Sequence, residues 1–242
     1  MAKLFYVGAP PLSALLETDA LAALRNAGRA EDHAAGDLLY RRGESDCSMV
    51  FIDSGEIELG NFDTAGKFQP TARFGAGYCF GESAMLSGLA RTFSARAVTA
   101  SSVVSCDAEC YRVVVAEHPA IAAAVTHVMA QRLQLLLEFV DDLRTQPFNV
   151  QLAKALLNVS GNHEFEAAVA AGTEELAVML GASPVAVTQA LGRLERERLV
   201  LRTPDGVRVH DRGLLTQWIQ RRTARAPVMA ADAGPAEMPR AQ

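Results

Sequence analysis

Apolar residues first recur at helical spacing: Leu12, Leu15, Leu16, Leu21 and Leu24, with helix-forming alanines between them, predict a helix over 12–30. From about residue 33 to 113 the period shortens. Leu38–Tyr40, Ser48–Asp53, Glu56–Leu59, Ala95–Val98 and Val103–Cys106 are short apolar runs. Turn signals fall at Ala35-Gly36-Asp37, Gly43-Glu44, Asp53-Ser54-Gly55, Asp63–Gly66 and Gly75-Ala76-Gly77. Many short strands at regular spacing predict an all-β sandwich or barrel. His118-Pro119 then introduces one long helix over 120–143. Its stripe of Ile121, Val125, Val128, Leu135, Phe139 and Leu143 is widened by Leu133, Leu136, Leu137 and Val140. That stripe is too wide for one neighbour. It predicts a sandwich on one side and a second copy of the chain, in a symmetric homodimer, on the other.

After Pro147 the pattern is helical again. Val150–Val159 is one apolar helix. Thr173–Leu180 and Ser183–Arg198 are two more, separated by Gly181-Ala182. Leu199–Leu201 and Val207–Val209 then flank Pro204-Asp205-Gly206, a small β-hairpin. From about 226 the chain is rich in Ala and Pro without periodicity, which predicts a disordered tail. The expected fold class is α+β, in four parts: a sandwich over 1–117, a dimerisation helix over 118–145, a helix-rich domain over 146–225, and a tail over 226–242.

The chemistry of the C-terminal half lies in Thr173–Leu194. Thr173 is a suitable N-cap, and Glu174 and Glu175 suit the positive end of a helix. Leu176, Ala177 and Leu180 bury, and Gly181 supplies a left-handed turn. Ser183 caps the next helix, with Pro184 at its first position, where no amide donor is lost. Val187, Leu191 and Leu194 bury, which leaves Pro184, Val185, Thr188, Gln189, Gly192 and Arg193 facing outward. Two helices at this spacing make a helix-turn-helix, whose second helix fits the major groove of double-stranded DNA. Hydroxyl and amide groups can read base edges there, and arginine can hold phosphates. An αα-hairpin that only packs is the other reading. The DNA contacts expected are Thr173, Ser183, Pro184, Val185, Thr188, Gln189 and Arg193.

Charge agrees with the DNA reading. The chain's 23 basic and 28 acidic residues give −5. Within 193–225, however, nine arginines face four acids. Local positive charge lets an acidic protein bind nucleic acid. Helix-face i,i+4 pairs account for part of this run, but Arg202, Arg208 and Arg212 continue the excess past the helix. No window of about 18 apolar residues runs free of charge, so no membrane span is expected. The N-terminal apolar run is too short for a secretory signal, which points to the cytoplasm.

Cys47, Cys79, Cys106 and Cys110 form no Cys-x-x-Cys and are expected to be reduced, mostly buried thiols. Metal binding or oxidation sensing by Cys106 and Cys110 is the alternative, although no histidine lies beside them at ligand-like spacing. The five histidines are scattered, and no metal centre is expected. An enzyme on a jelly-roll barrel would need several histidines on adjacent strands, and His33 is the sole histidine before His118. A non-enzymatic role is therefore expected.

A second constellation, Phe80–Thr92, lies between the Gly75–Gly77 turn and a strand. Gly81 lets backbone approach a ligand closely. Ser83–Leu86 can form a helical turn whose free amides meet an anion. Arg91 can grip a phosphate with two parallel hydrogen bonds. Glu82, held near Arg91, could accept from a ribose hydroxyl. Such a set suits a nucleotide with a single negative charge. The same two residues could equally make a structural ion pair at a strand end.

At these residues the chain resembles the Crp–Fnr family of bacterial transcription regulators, over roughly 12–215. Glycines 36, 43, 55, 77 and 81 fall at the turn glycines of the family's cyclic nucleotide-binding fold. Phe80-Gly81-Glu82, with Arg91 nine residues after Glu82, is similar to its phosphate-binding cassette. The resemblance implies a double-stranded β-helix (jelly-roll) sensor, a long dimerisation helix and a winged helix-turn-helix. It implies an allosteric regulator that binds a palindromic operator and works with RNA polymerase. The implied effector is cyclic AMP or cyclic GMP, held by Gly81, Glu82, Ser83, Ala84, Arg91, Thr92 and Leu136. Glu82 would meet the ribose, and Arg91 the cyclic phosphate. A threonine after the arginine, here Thr92, is seen in cyclic GMP binders. Three features depart from the family pattern. Leu136 and Leu137 stand where the best-known member has a Thr-Ser pair that holds adenine. Phe93 replaces a small residue and would crowd the site. Pro184-Val185 and Gln189 replace an Arg-Glu pair and an Arg, so the operator should differ from the well-known one. The family's iron–sulfur and haem sensors need cysteines or histidines that this chain lacks at those places. A regulator controlled by thiols, or one that is constitutive, remains the alternative.

Overall fold

The computed structural model describes residues 9–45, 47–159, 165–169, 172–204 and 206–223. Eight strands build the N-terminal half: β1 (Arg29–His33), β2 (Leu38–Tyr40), β3 (Ser48–Ser54), β4 (Glu56–Phe62), β5 (Phe68–Gly75), β6 (Cys79–Phe80), β7 (Ser94–Ala97) and β8 (Ser101–Asp107). They form two four-stranded antiparallel sheets, ordered β1-β8-β3-β6 and β2-β7-β4-β5. Val50, Ile52, Ile57, Phe74, Phe80 and Val103 fill the space between them. The alternate residues of β3, Met49 and Phe51, point to the opposite face and join a second core with Leu12, Leu24, Ile121, Val125 and Val128. This is why β3 reads as a continuous apolar run: both its faces are covered.

The helix expected over 12–30 is broken. Leu12–Ala14 is a single 3-10 turn, and α1 spans Thr18–Ala27. Glu17 is extended at the start of α1, and Gly28 ends it against β8, where a Cβ would stand 2.4 Å from Val104. Arg29 then pairs with Ser105 in the sheet. Strands β1, β5 and β6 were outside the sequence expectation. β1 is polar and lies at a sheet edge, β5 contains Pro70, and β6 has two residues.

A short helix α2 (Glu82–Ser87) interrupts the strands. After β8 the chain forms α3 (Ala108–Glu117), capped by the Asp107 carboxylate, which accepts from the Cys110 amide at 2.8 Å. Here the expectation of reduced thiols is corrected. Cys106 and Cys110 are joined in a disulfide, their Cα atoms 5.5 Å apart, because the first turn of α3 returns position 110 to the end of β8. Cys47 and Cys79 are free thiols.

The long helix α4 runs over Pro119–Thr145. Ile121, Ala124, Val125 and Val128 are buried against the sandwich. Leu133, Leu136, Leu137, Val140 and Leu143 are exposed. By length and composition α4 is the one described helix that could cross a membrane. It nevertheless carries Arg132, buried against the sandwich.

The C-terminal part contains α5 (Phe148–Val159), β9 (Phe165–Val169), α6 (Thr173–Met179), α7 (Pro184–Arg196), β10 (Val200–Thr203), β11 (Gly206–Asp211) and α8 (Arg212–Thr223). The predicted hairpin is present, with Val200 opposite Val209 and Arg202 opposite Val207. β9 adds a third strand to it, in the order β10-β11-β9. Leu152, Leu156, Leu176, Leu191, Val209 and Leu215 share one core. β9 and α8 were not anticipated. The tail expected over 226–242 lies outside the described residues.

Candidate functional site

Gly81 adopts the left-handed conformation (φ 81°) between β6 and α2, and Gly88 does the same at the far end of α2 (φ 69°). The helical turn expected at Ser83–Leu86 is thus a slightly longer helix held between two glycines. It borders a cavity of about 510 Å³. All seven predicted ligand-binding residues line this one cavity: Gly81, Glu82, Ser83, Ala84, Arg91, Thr92 and Leu136. Phe93 lines it as well, forming wall and leaving the space open.

Arg91 is buried on this wall. Its guanidinium donates to the Ser48 carbonyl (2.7 Å) and to Ser48 Oγ (3.2 Å), and it lies 4.0 Å from the Tyr40 ring centroid. Burial raises the Tyr40 hydroxyl pKa well above its ordinary value, against the opposing pull of Arg91. A Cβ on Gly81 would stand 2.3 Å from Arg91 Nη1 and 2.7 Å from the Ser48 carbonyl oxygen. Only glycine therefore lets the strand pass so close to the guanidinium.

The structural ion pair of Glu82 with Arg91, the alternative reading of these two residues, is not formed. Glu82 pairs instead with Arg132 of α4, whose Nη1 donates to Glu82 Oε1 at 2.5 Å. Nη2 of Arg132 donates to the Cys79 carbonyl at 2.7 Å, and the Phe74 ring lies 5.0 Å from the guanidinium. Burial and the neighbouring Glu82 charge push the Cys79 thiol up to about 12. Sequence reasoning missed Arg132. The signal was present: residues 121, 125, 128 and 132 follow helical spacing, so a charge at 132 continues the buried edge and requires a buried partner.

Buried polar atoms here include Glu82 Oε2 and Arg91 Nε, which have no hydrogen-bond partner among the described residues. A ligand with a hydroxyl donor and an anionic oxygen matches that pair of needs. Beyond Arg132, α4 contributes only apolar side chains to the wall: Leu133, Leu136, Phe139 and Val140. Among the described residues, no group of three or more His, Cys, Asp or Glu side chains is placed to hold a metal ion.

The second candidate surface is α7. Ser183 caps it, accepting from the Ala186 amide at 3.2 Å, and Pro184 occupies its first turn. Val187, Ala190, Leu191 and Leu194 are buried. Ser183, Pro184, Val185, Thr188, Gln189 and Arg193 are exposed together. Thr173 is the first residue of α6, on the other helix of the pair. The Gly172 carbonyl, rather than a Thr173 cap, receives the Leu176 amide. The arginine excess also divides differently from the sequence expectation. Arg202 is paired with Glu195 (2.7 Å), which holds that carboxyl below its ordinary pKa, and Arg212 donates to the Leu157 carbonyl. Arg193, Arg196 and Arg198 are exposed, clustered around the end of α7.

Residues 31–118 match the cyclic nucleotide-binding domain, and residues 150–218 match the Crp-like helix-turn-helix domain. The chain belongs to the Crp–Fnr family of transcription regulators. This Crp–Fnr regulator is 29% identical over 182 residues to a CRP-like cAMP-activated global transcriptional regulator of Mycobacterium tuberculosis, covering 73% of this chain and 81% of that protein. It is 31% identical over 135 residues, 54% of its own length, to a Rhodopseudomonas palustris protein that carries a potassium-channel name, and it spans only 32% of that protein. Among solved structures, a CooA mutant from Carboxydothermus hydrogenoformans superposes with a TM-score of 0.68 at 18% identity, covering 89% of this chain and 99% of that one. At that identity the likeness bears on the fold alone. The regulator thus couples a cyclic nucleotide-binding domain to a DNA-binding domain in one polypeptide.

Proposed function

We propose that this protein is a cytoplasmic homodimer that binds a palindromic DNA operator and is controlled by cyclic AMP or cyclic GMP held in the β-roll cavity. It acts on RNA polymerase and catalyses no reaction. One observation carries the reading. A cavity of about 510 Å³ brings Gly81, Glu82, Arg91 and Thr92 together with the dimerisation helix α4. Gly81, Ser83 and Ala84 offer backbone beside Arg91 for a cyclic phosphate, and Glu82 Oε2 is available to a ribose hydroxyl. Thr92 and Leu136 border the remaining space. Because Glu82 also pairs with Arg132, a ligand at Glu82 acts directly on α4. Only a difference in affinity between two arrangements of α4 can shift the equilibrium between them. The sensor then comprises 1–117, the dimerisation helix 118–145 and the DNA-binding domain 146–225. In that last part Thr173, Ser183, Pro184, Val185, Thr188, Gln189 and Arg193 meet the duplex.

Calorimetric titration with cyclic AMP and cyclic GMP tests the sensor half. We expect heat from at least one of them, abolished by Arg91→Ala. No heat from either retires the nucleotide as effector and leaves the DNA-binding half intact.

A further inference from the structure

We infer that the base-reading turns of α7 select A·T pairs, with Val185 and Thr188 lying on thymine methyl groups and Gln189 forked onto adenine. This rests on the DNA-binding reading of α7 and adds to it the identity of the bases.

The argument starts from what the first two turns of α7 can offer. Val185 is 65% exposed although it is aliphatic. It has no donor or acceptor on its side chain, so it discriminates among bases only by apolar contact, and in the major groove that means the C5-methyl of thymine. Thr188 is exposed as well, and its hydroxyl already donates to the Pro184 carbonyl at 2.9 Å. That bond uses the hydroxyl proton inside the helix, so toward a base Thr188 offers its methyl group and a hydroxyl that can only accept. Gln189, the next residue, carries an exposed amide. A side-chain amide matches the N6 donor and N7 acceptor of adenine in a two-point contact.

Equally informative is the position of the positive charge. The strongest reading of guanine is a forked arginine on O6 and N7. The exposed residues of the first two turns, Pro184, Val185, Thr188 and Gln189, include no arginine or lysine. The exposed cations begin a turn later, at Arg193 and Arg196, with Arg198 just beyond the helix. Between the two groups lies Gly192, where an added Cβ would meet nothing within 4 Å. The face thus divides along the helix axis: apolar and amide groups over the base edges, then a smooth gap, then charge at the level of the phosphates. Such a division keeps phosphate affinity apart from base choice.

The test uses the full-length protein, with and without cyclic nucleotide, to select duplexes from a random pool. We expect each half-site to carry A·T pairs at the positions nearest the dyad-related α7 N-termini. Deoxyuridine then replaces thymine one position at a time, removing only the methyl group. In the wild type this should weaken binding about fourfold at one or two positions, the effect of burying a single methyl-sized group. In Val185→Ala the same replacement at the Val185 position should have no effect. Gln189→Ala should cost on the order of tenfold on the selected site and narrow its advantage over unrelated DNA. Both residues are exposed, so neither variant disturbs the core. Selected half-sites with G·C pairs at these positions, or a wild type indifferent to deoxyuridine, overturn the inference and leave DNA binding in place. Failure to retain any duplex overturns the DNA-binding reading and this inference with it.

Discussion

Arg132 on α4 and Glu82 on α2 form a buried ion pair across 50 residues of sequence, with Nη1 and Oε1 2.5 Å apart. Breaking it from one side leaves a charge buried without its partner. Arg132→Met should therefore lower folding stability by about 3–5 kcal/mol, measured by urea denaturation. Glu82→Leu combined with Arg132→Met should recover most of that loss, because the double variant buries no lone charge. It should still not bind cyclic nucleotide, since Glu82 Oε2 is gone.

Gly81→Ala tests the closeness of strand and guanidinium. The φ of 81° and the 2.7 Å approach to the Ser48 carbonyl oxygen act together, so a movement of the Arg91 side chain alone does not relieve the clash. We expect cyclic nucleotide affinity to fall on the order of tenfold or more, the worth of one hydrogen bond to a charged group. Calorimetry reads the affinity, and DNA binding without ligand serves as the control.

Thiol counting tests the cysteine pairing. Unfolded without reductant, the chain should present two free thiols, Cys47 and Cys79. Reduction of Cys106–Cys110 should destabilise the fold by about 2 kcal/mol, because the bridged loop is short. The native Cys79 thiol adds a pH dependence. Its pKa rises from the ordinary 9.0 to about 12 on folding, chiefly through burial. Its contribution to stability is therefore whole below pH 9.0. It is lost as the pH climbs toward 12, because the unfolded chain releases the proton first. Alkaline denaturation curves of wild type and Cys79→Ala should converge over that window.

Leu137 is 55% exposed on α4 and does not line the cavity. On the proposed homodimer, the wild type should sediment as a dimer in analytical ultracentrifugation and Leu137→Glu as a monomer. Calorimetric heat from cyclic nucleotide should survive, and affinity for a palindromic duplex should collapse.

Much of the fold was legible because β3, β4 and β8 announce themselves by short apolar runs and α4 by its stripe. The strands that escaped notice have a physical reason for silence. β1 is an Arg-Ala-Glu-Asp-His edge with little to bury, and β5 holds a proline that a central strand would refuse. The set of side chains on the cavity wall was legible, since Gly81, Glu82, Arg91 and Thr92 lie close in sequence. Its wiring was not. Glu82 and Arg91 are near neighbours along the chain, yet Arg91 turns to Ser48 and Glu82 to α4. Pairing across 50 residues leaves no spacing to read, and only the anomaly of an arginine on an apolar stripe marks it. Likewise Arg202 and Arg212 looked like free charge, because their partners, Glu195 and the Leu157 carbonyl, are set by tertiary structure.

At 1.5 Å per residue the 27 residues of α4 make a rod about 40 Å long. Arg132 grips it near the middle, with roughly 20 Å of rod between that grip and Thr145. On the proposed function, the rod is a lever with its fulcrum beside the cavity. A tilt of about ten degrees there swings the far end by about 3.4 Å, the rise of one base step along a DNA strand.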